Sequence, residues 1–246
     1  MGLAEVEGLL ACPVCTQPLT LVEGPARLVC GRAHSFDVAR AGYVNLAGQA
    51  PPANADTPAM VAARDRFLAR GHYGAVADAV AAQADLPGTT GSTLLDCGAG
   101  TGYHLARLLE AAPSARGVAV DVSPAAARRA AKAHLRIGAV VADAWGRLPM
   151  VDGGVDVALS VFAPRRADEL HRVLSASGRL VTVTPEPDHL RELRAVLPLL
   201  DVPEDKQERL AATLQRHFRL DHATTVRAAA LWDAATAGDV VAMGPN

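Results

Sequence analysis

Lysine is nearly missing from this chain: Lys132 and Lys206 are the only two, so almost all of the positive charge is arginine. With a formal net charge of -2 over 246 residues there is no global attraction to a polyanion, and any contact with nucleic acid must come from a local patch. No apolar run reaches the roughly 18 residues that a membrane span needs. The N-terminus also lacks a charged flank followed by a short apolar stretch, so a cytoplasmic protein is expected. Only four cysteines occur, Cys12, Cys15, Cys30 and Cys97. In that compartment they speak for metal ligation or core packing and against disulfides. No internal repeat is found, which excludes a solenoid.

What the chain has is apolar bulk. Half of its residues are hydrophobic, enough for one large core or a medium core with a small satellite domain. Residues 9–46 are short apolar pieces broken by Cys, Pro and Gly, too lean for an independent core, and a module of that kind needs a staple. Gln49 to Thr57 (QAPPANADT) is a proline-rich linker. Thr57-Pro58 reads as an N-cap with proline at the first helical position, the helix ending at Arg70 before Gly71. The chain thus divides into a small module over 1–48, a linker and connecting helix over 49–72, and a main domain over 73–246.

From Ser92 onward β-type runs near 93–96, 116–121, 138–142, 155–160 and 179–184 alternate with helical patterns near 103–112, 124–134, 167–174 and 189–200. That alternation predicts an α/β fold, a doubly wound parallel sheet covered by helices on both faces. Ser123-Pro124 repeats the cap-plus-proline start. A further helix at 204–216, a strand at 218–226 and an alanine-rich helix ending near Gly238 complete the reading.

Leu94-Leu95-Asp96 ends a buried strand, and Gly98, Gly100 and Gly102 let the backbone turn tightly against a ligand before a helix opens at about Tyr103. Val118-Ala119-Val120-Asp121 is a second strand ending in an acid placed to accept hydrogen bonds from ribose hydroxyls. A dinucleotide site and an adenosylmethionine site share both features. An acid before the first glycine, Asp96, followed by G-x-G-x-G resembles motif I of class I methyltransferases, and Asp143-Ala144 stands where that family caps and stacks the adenine. The resemblance implies S-adenosylmethionine as cofactor, with Asp96, Gly98, Gly100, Thr101, Gly102, Tyr103, Asp121, Asp143 and Ala144 as its contacts. Cys97 has no cationic neighbour in sequence to make it a thiolate and reads as a small core residue.

Cys12-Pro13-Val14-Cys15 and Cys30-Gly31-Arg32-Ala33-His34 form C-x2-C followed by C-x3-H. Two close ligand pairs on a glycine-bearing hairpin suit tetrahedral Zn2+ with three thiolates and one imidazole, Cys12, Cys15, Cys30 and His34. A lean core makes the metal necessary for folding.

The segments His34-Ser35-Phe36-Asp37-Val38-Ala39-Arg40-Ala41-Gly42-Tyr43-Val44-Asn45-Leu46, Asp56-Thr57 and Arg64-Asp65-Arg66-Phe67-Leu68-Ala69-Arg70-Gly71-His72-Tyr73 resemble the 23S rRNA guanine-N1 methyltransferases. The match continues through Phe162-Ala163-Pro164, Glu169-Leu170, Arg172-Val173-Leu174 and Thr184 to Leu193, and so covers most of the chain. It implies a homodimer whose zinc modules grip a 23S rRNA hairpin near the peptide exit tunnel, and, in the actinomycete branch, resistance to tylosin-type macrolides. It also implies that Tyr73 and His189 join the glycine turn in holding the cofactor. Such enzymes usually continue past Met243-Gly244-Pro245 into a final antiparallel strand, whereas this sequence ends at Asn246, so a sheet without that strand is expected.

Methyl transfer from a sulfonium is an in-line displacement, so holding the acceptor nitrogen in place dominates the chemistry. Phe162-Ala163-Pro164 follows the fourth strand at the sheet's carboxyl edge: Phe162 can stack on a flipped base and Pro164 stiffens the loop. Guanine N1 must also lose a proton, and Glu186 and Asp37 are the candidate acceptors. Arg27, Arg32, Arg40, Arg64, Arg66 and Arg70 outnumber the nearby acids by three, which with Arg165 and Arg166 gives the local RNA patch. A small-molecule methyltransferase of the same fold and an inactive zinc-dependent RNA-binding protein are the alternatives.

Overall fold

Four segments of this chain are apolar on both faces or nearly so, a pattern that suits strands covered on both sides. In the structure, a computed structural model that describes residues 2–22, 26–86, 91–197 and 199–244, they form the middle of a parallel sheet. A short helix α1 (Gly2–Glu5) leads into a small antiparallel sheet of β1 (Leu19–Val22), β2 (Arg27–Cys30) and β3 (Ser35–Asp37), followed by β4 (Tyr43–Asn45). Two helices, α2 (Pro58–Ala69) and α3 (Gly74–Ala84), lead to the alternating part: β5 (Thr93–Cys97), α4 (Tyr103–Ala111), β6 (Arg116–Asp121), α5 (Pro124–Ala130) and β7 (Ile137–Val141). It continues as β8 (Val155–Val161), α6 (Ala167–Val173) and β9 (Leu174–Val183), and the chain closes with α7 (Arg191–Arg194), α8 (Lys206–Leu214) and α9 (Ala234–Ala242).

The large sheet runs β4-β7-β6-β5-β8-β9, with every neighbouring pair parallel. The doubly wound fold expected from the alternation is therefore present. Its edge strand β4, however, comes from the cysteine-bearing segment: Tyr43, Val44 and Asn45 pair with Ala139, Val140 and Val141. Leu46 N–H extends the ladder to the Val141 carbonyl at 2.9 Å. The same segment is tied down a second time, where Ala11 N–H donates to Pro149 and Val151 N–H to Leu9, both at 3.0 Å. Gly138 in β7 admits the N-terminal segment, since a Cβ there would lie 2.2 Å from Val6 Cγ2.

Both proline-started helices form as read. The Thr57 hydroxyl accepts from Met60 N–H at 3.3 Å, and Ser123 accepts from Ala125 and Ala126 at 3.2 and 3.3 Å. Elsewhere long-range context wins over local pattern. The helix expected over 189–200 shrinks to α7, because Leu190 takes a left-handed φ of 56° that interrupts its start. The strand expected over 218–226 is not formed: residues 219–231 have no regular secondary structure, are exposed and pair to no sheet edge, with Leu220 and Leu231 in solvent. A strand needs pairing and a covered face, and this segment lies unpaired with both faces exposed. The last helix passes through Gly238 to Ala242, and α3 carries no cap signal that would have announced it.

Helix α9 is fastened to α2 by charge. Arg66 donates to Asp239 from Nε at 3.0 Å and Nη2 at 2.6 Å, and Arg70 reaches Asp239 at 3.2 Å and the Thr236 hydroxyl at 2.8 Å. Phe67, Leu68, Val240 and Met243 pack beneath them.

Candidate functional site

Three glycines after β5 take left-handed backbone conformations that other residues adopt only at a cost: φ is 80° at Gly98, 54° at Gly100 and 76° at Gly102. The turn needs them for space as well. A Cβ on Gly98 would lie 2.4 Å from the Ala163 methyl, and one on Gly102 would lie 3.1 Å from Ala130. The loop after β8 therefore rests directly on the glycine turn. Thr101 is buried within the turn, and Tyr103 opens α4 with the Arg107 guanidinium 5.8 Å above its ring.

Asp121, at the end of β6, holds the turn from the side: its carboxylate accepts from Gly100 N–H and from Ser123 N–H, each at 2.8 Å. Burial raises its pKa, and the two backbone donors pull it partly back. Asp96 is deeper, 2% exposed, and burial together with the Asp121 charge lifts its carboxyl to about 7. Asp143 follows β7, where its carboxylate accepts from Trp145 N–H at 2.9 Å and leaves Ala144 buried beside it.

The raised Asp96 pKa has a pH consequence. Between the unfolded value near 3.8 and about 7 the folded, ligand-free chain holds a proton that the unfolded chain releases. This contribution to stability is complete below the unfolded pKa and is lost as pH rises through about 7. Melting temperatures of the ligand-free protein should therefore fall more steeply between pH 4 and 7 for wild type than for Asp96→Asn. Parallel curves for the two proteins would refute it.

Across the turn stands an aromatic group. Phe162 takes a left-handed φ of 51°, is 41% exposed, and stacks on His189 with centroids 5.9 Å apart and planes 25° from parallel. Tyr73 lies 5.7 Å from the Phe162 ring, and its hydroxyl shares a hydrogen bond of 3.2 Å with His189 Nε2. Burial keeps both polar partners neutral, raising Tyr73 to about 12 and lowering His189. Residues 73, 162 and 189, far apart in sequence, thus form one uncharged platform beside the glycine turn.

The remaining expected residues are placed unevenly. Pro164 sits with Ala163 against Gly98. Glu186 accepts a 3.3 Å hydrogen bond from the Thr225 hydroxyl, and Asp37 is exposed on β3 of the small sheet. Arg27, Arg32 and Arg40 are exposed on the small sheet and its loops, with no carboxylate in ion-pair range among the described residues. Arg66 and Arg70 are engaged with Asp239 instead, and Arg166 pairs with Asp168. Arg64 has a role its sequence position did not announce. It pairs with Asp56, donates to the Met243 carbonyl at 2.6 Å, and lies 3.4 Å from where a Gly100 Cβ would be. Asp56 in turn accepts from the Ser123 hydroxyl through its carbonyl at 2.6 Å. The linker and the start of α2 thereby roof the glycine turn.

Cys12, Cys15, Cys30 and His34 converge, with all ligand atoms within 4.8 Å of one another. Separations are 3.5 Å from Cys12 Sγ to His34 Nδ1, 3.6 Å from Cys15 Sγ to Cys30 Sγ and 3.4 Å from Cys30 Sγ to His34 Nδ1. A zinc ion with bonds of about 2.3 Å to sulfur has tetrahedron edges of about 3.7 Å, so the donor set and its spacing fit.

Comparison with known proteins bears on both halves. Residues 10–48 match a zinc-ribbon family described as RlmA, N-terminal, and residues 94–184 match a family described as methyltransferase domain. A Streptomyces fradiae protein named 23S rRNA (guanine(748)-N(1))-methyltransferase is 44% identical over 239 residues, covering 96% of this chain and 85% of its own length. A Micromonospora griseorubida protein, provisionally named as a 23S rRNA (guanine-N(1)-)-methyltransferase, is 47% identical over 225 residues, 85% of this chain and 76% of its own. Among solved structures, a chain of the complex between the Haloferax volcanii Trm112 methyltransferase activator and a methyltransferase superposes with a TM-score of 0.52. It is 22% identical and covers 66% of this chain and 76% of that one, a likeness of fold.

Proposed function

Because the chain belongs to the 23S rRNA guanine-N1 methyltransferase family, we propose that it moves the methyl group of S-adenosylmethionine to N1 of a guanine in a 23S rRNA hairpin. The target is the guanine corresponding to the one named for the Streptomyces fradiae relative, near the exit tunnel, where a methyl group lowers the affinity of tylosin-type macrolides. The cytoplasm as its location and a homodimer as its form are part of the proposal, as the family resemblance implies. Among the described residues no helix is long and apolar enough to cross a membrane.

One observation carries this reading: the acceptor loop and the cofactor turn touch. Ala163 fills the space above Gly98, so the exposed Phe162 ring beside it is fixed relative to whatever the turn binds. S-adenosylmethionine supplies an electrophilic methyl when bound. The protein's own part is to hold the base. Phe162 offers a face for a flipped guanine, and the neutral Tyr73–His189 pair backs that face without adding charge. Glu186 at the same edge is the carboxylate proposed to take the N1 proton, and Arg27, Arg32 and Arg40 on the ribbon are the proposed phosphate contacts.

Reverse transcription of 23S rRNA after treatment tests the proposal, because a methyl on N1 blocks Watson–Crick pairing. A new stop at that guanine, dependent on S-adenosylmethionine, is expected; no stop, or a stop elsewhere, refutes it. Phe162→Ala should lower turnover on the hairpin about 10- to 100-fold, the value of one base-stacking contact, while cofactor affinity changes less than threefold. An equal loss in both would mean the ring only supports the fold.

A further inference from the structure

Arg165 and Arg166 are neighbours in sequence, and the structure sends them in opposite directions. Arg166 stays at the surface, paired with Asp168. Arg165 turns under the Phe162–Pro164 loop, where Nε donates to the Ser160 hydroxyl at 3.1 Å and Nη2 to the Ala163 carbonyl at 3.0 Å. Both acceptors are neutral, and no carboxylate lies in ion-pair range of this guanidinium among the described residues. Its charge is felt at Cys97, the residue just before the glycine turn. Burial pulls its own pKa below the usual guanidinium value. A cation taken out of water without a counter-ion is costly, and its remaining donors are free for an anion.

The sheet decides which anion can reach it. Across the carboxyl edge the order is Asp143 after β7, Asp121 after β6, the glycines after β5, and Arg165 after β8. A nucleoside whose base lies at Asp143 and whose ribose lies at Asp121 sends its 5′ substituent over the β5 turn toward β8.

We propose that Arg165 binds the carboxylate of the cofactor's aminoacyl tail, making it a cofactor-recognition residue and not an RNA contact. The assignment rests on the methyltransferase reading above. Through its bond to the Ala163 carbonyl, the same guanidinium also ties cofactor binding to the loop that carries Phe162.

Calorimetric titration with S-adenosylmethionine and with its decarboxylated analogue, which keeps the amine, isolates the carboxylate. Wild type should prefer the intact cofactor by about 10- to 100-fold, the range of a hydrogen-bonded charge pair. In Arg165→Ala that preference should collapse to within threefold, with affinity for the decarboxylated ligand nearly unchanged, and Arg165→Lys should restore part of it. If Arg165→Ala and the gentler Arg165→Gln weaken both ligands equally, or neither, the proposal is overturned and the residue only supports its loop. A wild-type protein that binds neither ligand overturns the methyltransferase reading, and this proposal with it. Wild-type preference that survives unchanged in the variants overturns this proposal alone.

Discussion

Stripping the metal with a chelator, or replacing Cys30 with Ser, should weaken cofactor binding at least tenfold as well as undo the structure of the ribbon. A ribbon serving only as a detachable RNA grip would leave the cofactor untouched. Here the connection is physical. The ribbon's strands are three or four residues long and cannot stand without a staple, and structural zinc sites supply on the order of 10 kcal/mol of apparent folding free energy. Cys12 and Cys30 lie in the same apolar core as Leu148 and as Ala142 and Ala144, the residues that flank Asp143. Strand β4, which follows the last ligand, pairs with β7 up to Val141, two residues before Asp143. Loss of the metal frees β4 and exposes the β7 edge, so the Asp143 turn loses its support. We expect at least a tenfold loss of affinity for S-adenosylhomocysteine in the metal-free protein, recovered on adding zinc. Undiminished affinity in a protein shown to be metal-free would rule out the coupling.

Gly98→Val should be the most damaging single change in the catalytic half. The new side chain would meet Ala163 at 2.4 Å and would have to adopt a φ of 80°, where a β-branched residue is strongly disfavoured. The loop after β8 must then move off the turn, taking Phe162 with it. Together these effects should cost about 2–4 kcal/mol of stability and more than a hundredfold in cofactor affinity. Gly153→Val is the matched control. It has a similar φ of 65°, but a Cβ there would meet nothing within 4 Å. If the two variants bind cofactor equally well, contact between turn and loop is not what shapes the site.

Much of this was readable in one dimension. The alternation of buried β runs with capped helices is a local signal, and so are a glycine turn after a hydrophobic strand and the close cysteine and histidine pairs. Each depends on residues within about ten positions of one another. Arg64 and Arg165 show where such reading stops. As sequence they are two arginines among many, and both looked like RNA contacts. Their actual neighbours, Asp56, Met243 and Gly100 for the first and Ser160, Ala163 and Cys97 for the second, are set by how α2 and the loop after β8 lie on the sheet.

The same division explains the misread elements. Residues 218–226 have the composition of a strand, but a strand is a pairing, and they do not pair with the free side of β9 or with any other strand. Tyr43–Asn45, by contrast, is a short piece of a cysteine-bearing segment that finds the open edge of β7 and becomes part of the main sheet. Sequence alone determined the cofactor turn, the metal ligands and the order of elements, because backbone conformation and ligand spacing are local properties. Only the tertiary structure decided that the ribbon segment supplies a strand of the main sheet and that Arg165 turns under the loop after β8 while its neighbour Arg166 stays at the surface. Pairing edges and counter-charges come from distant parts of the chain, and no local pattern records them.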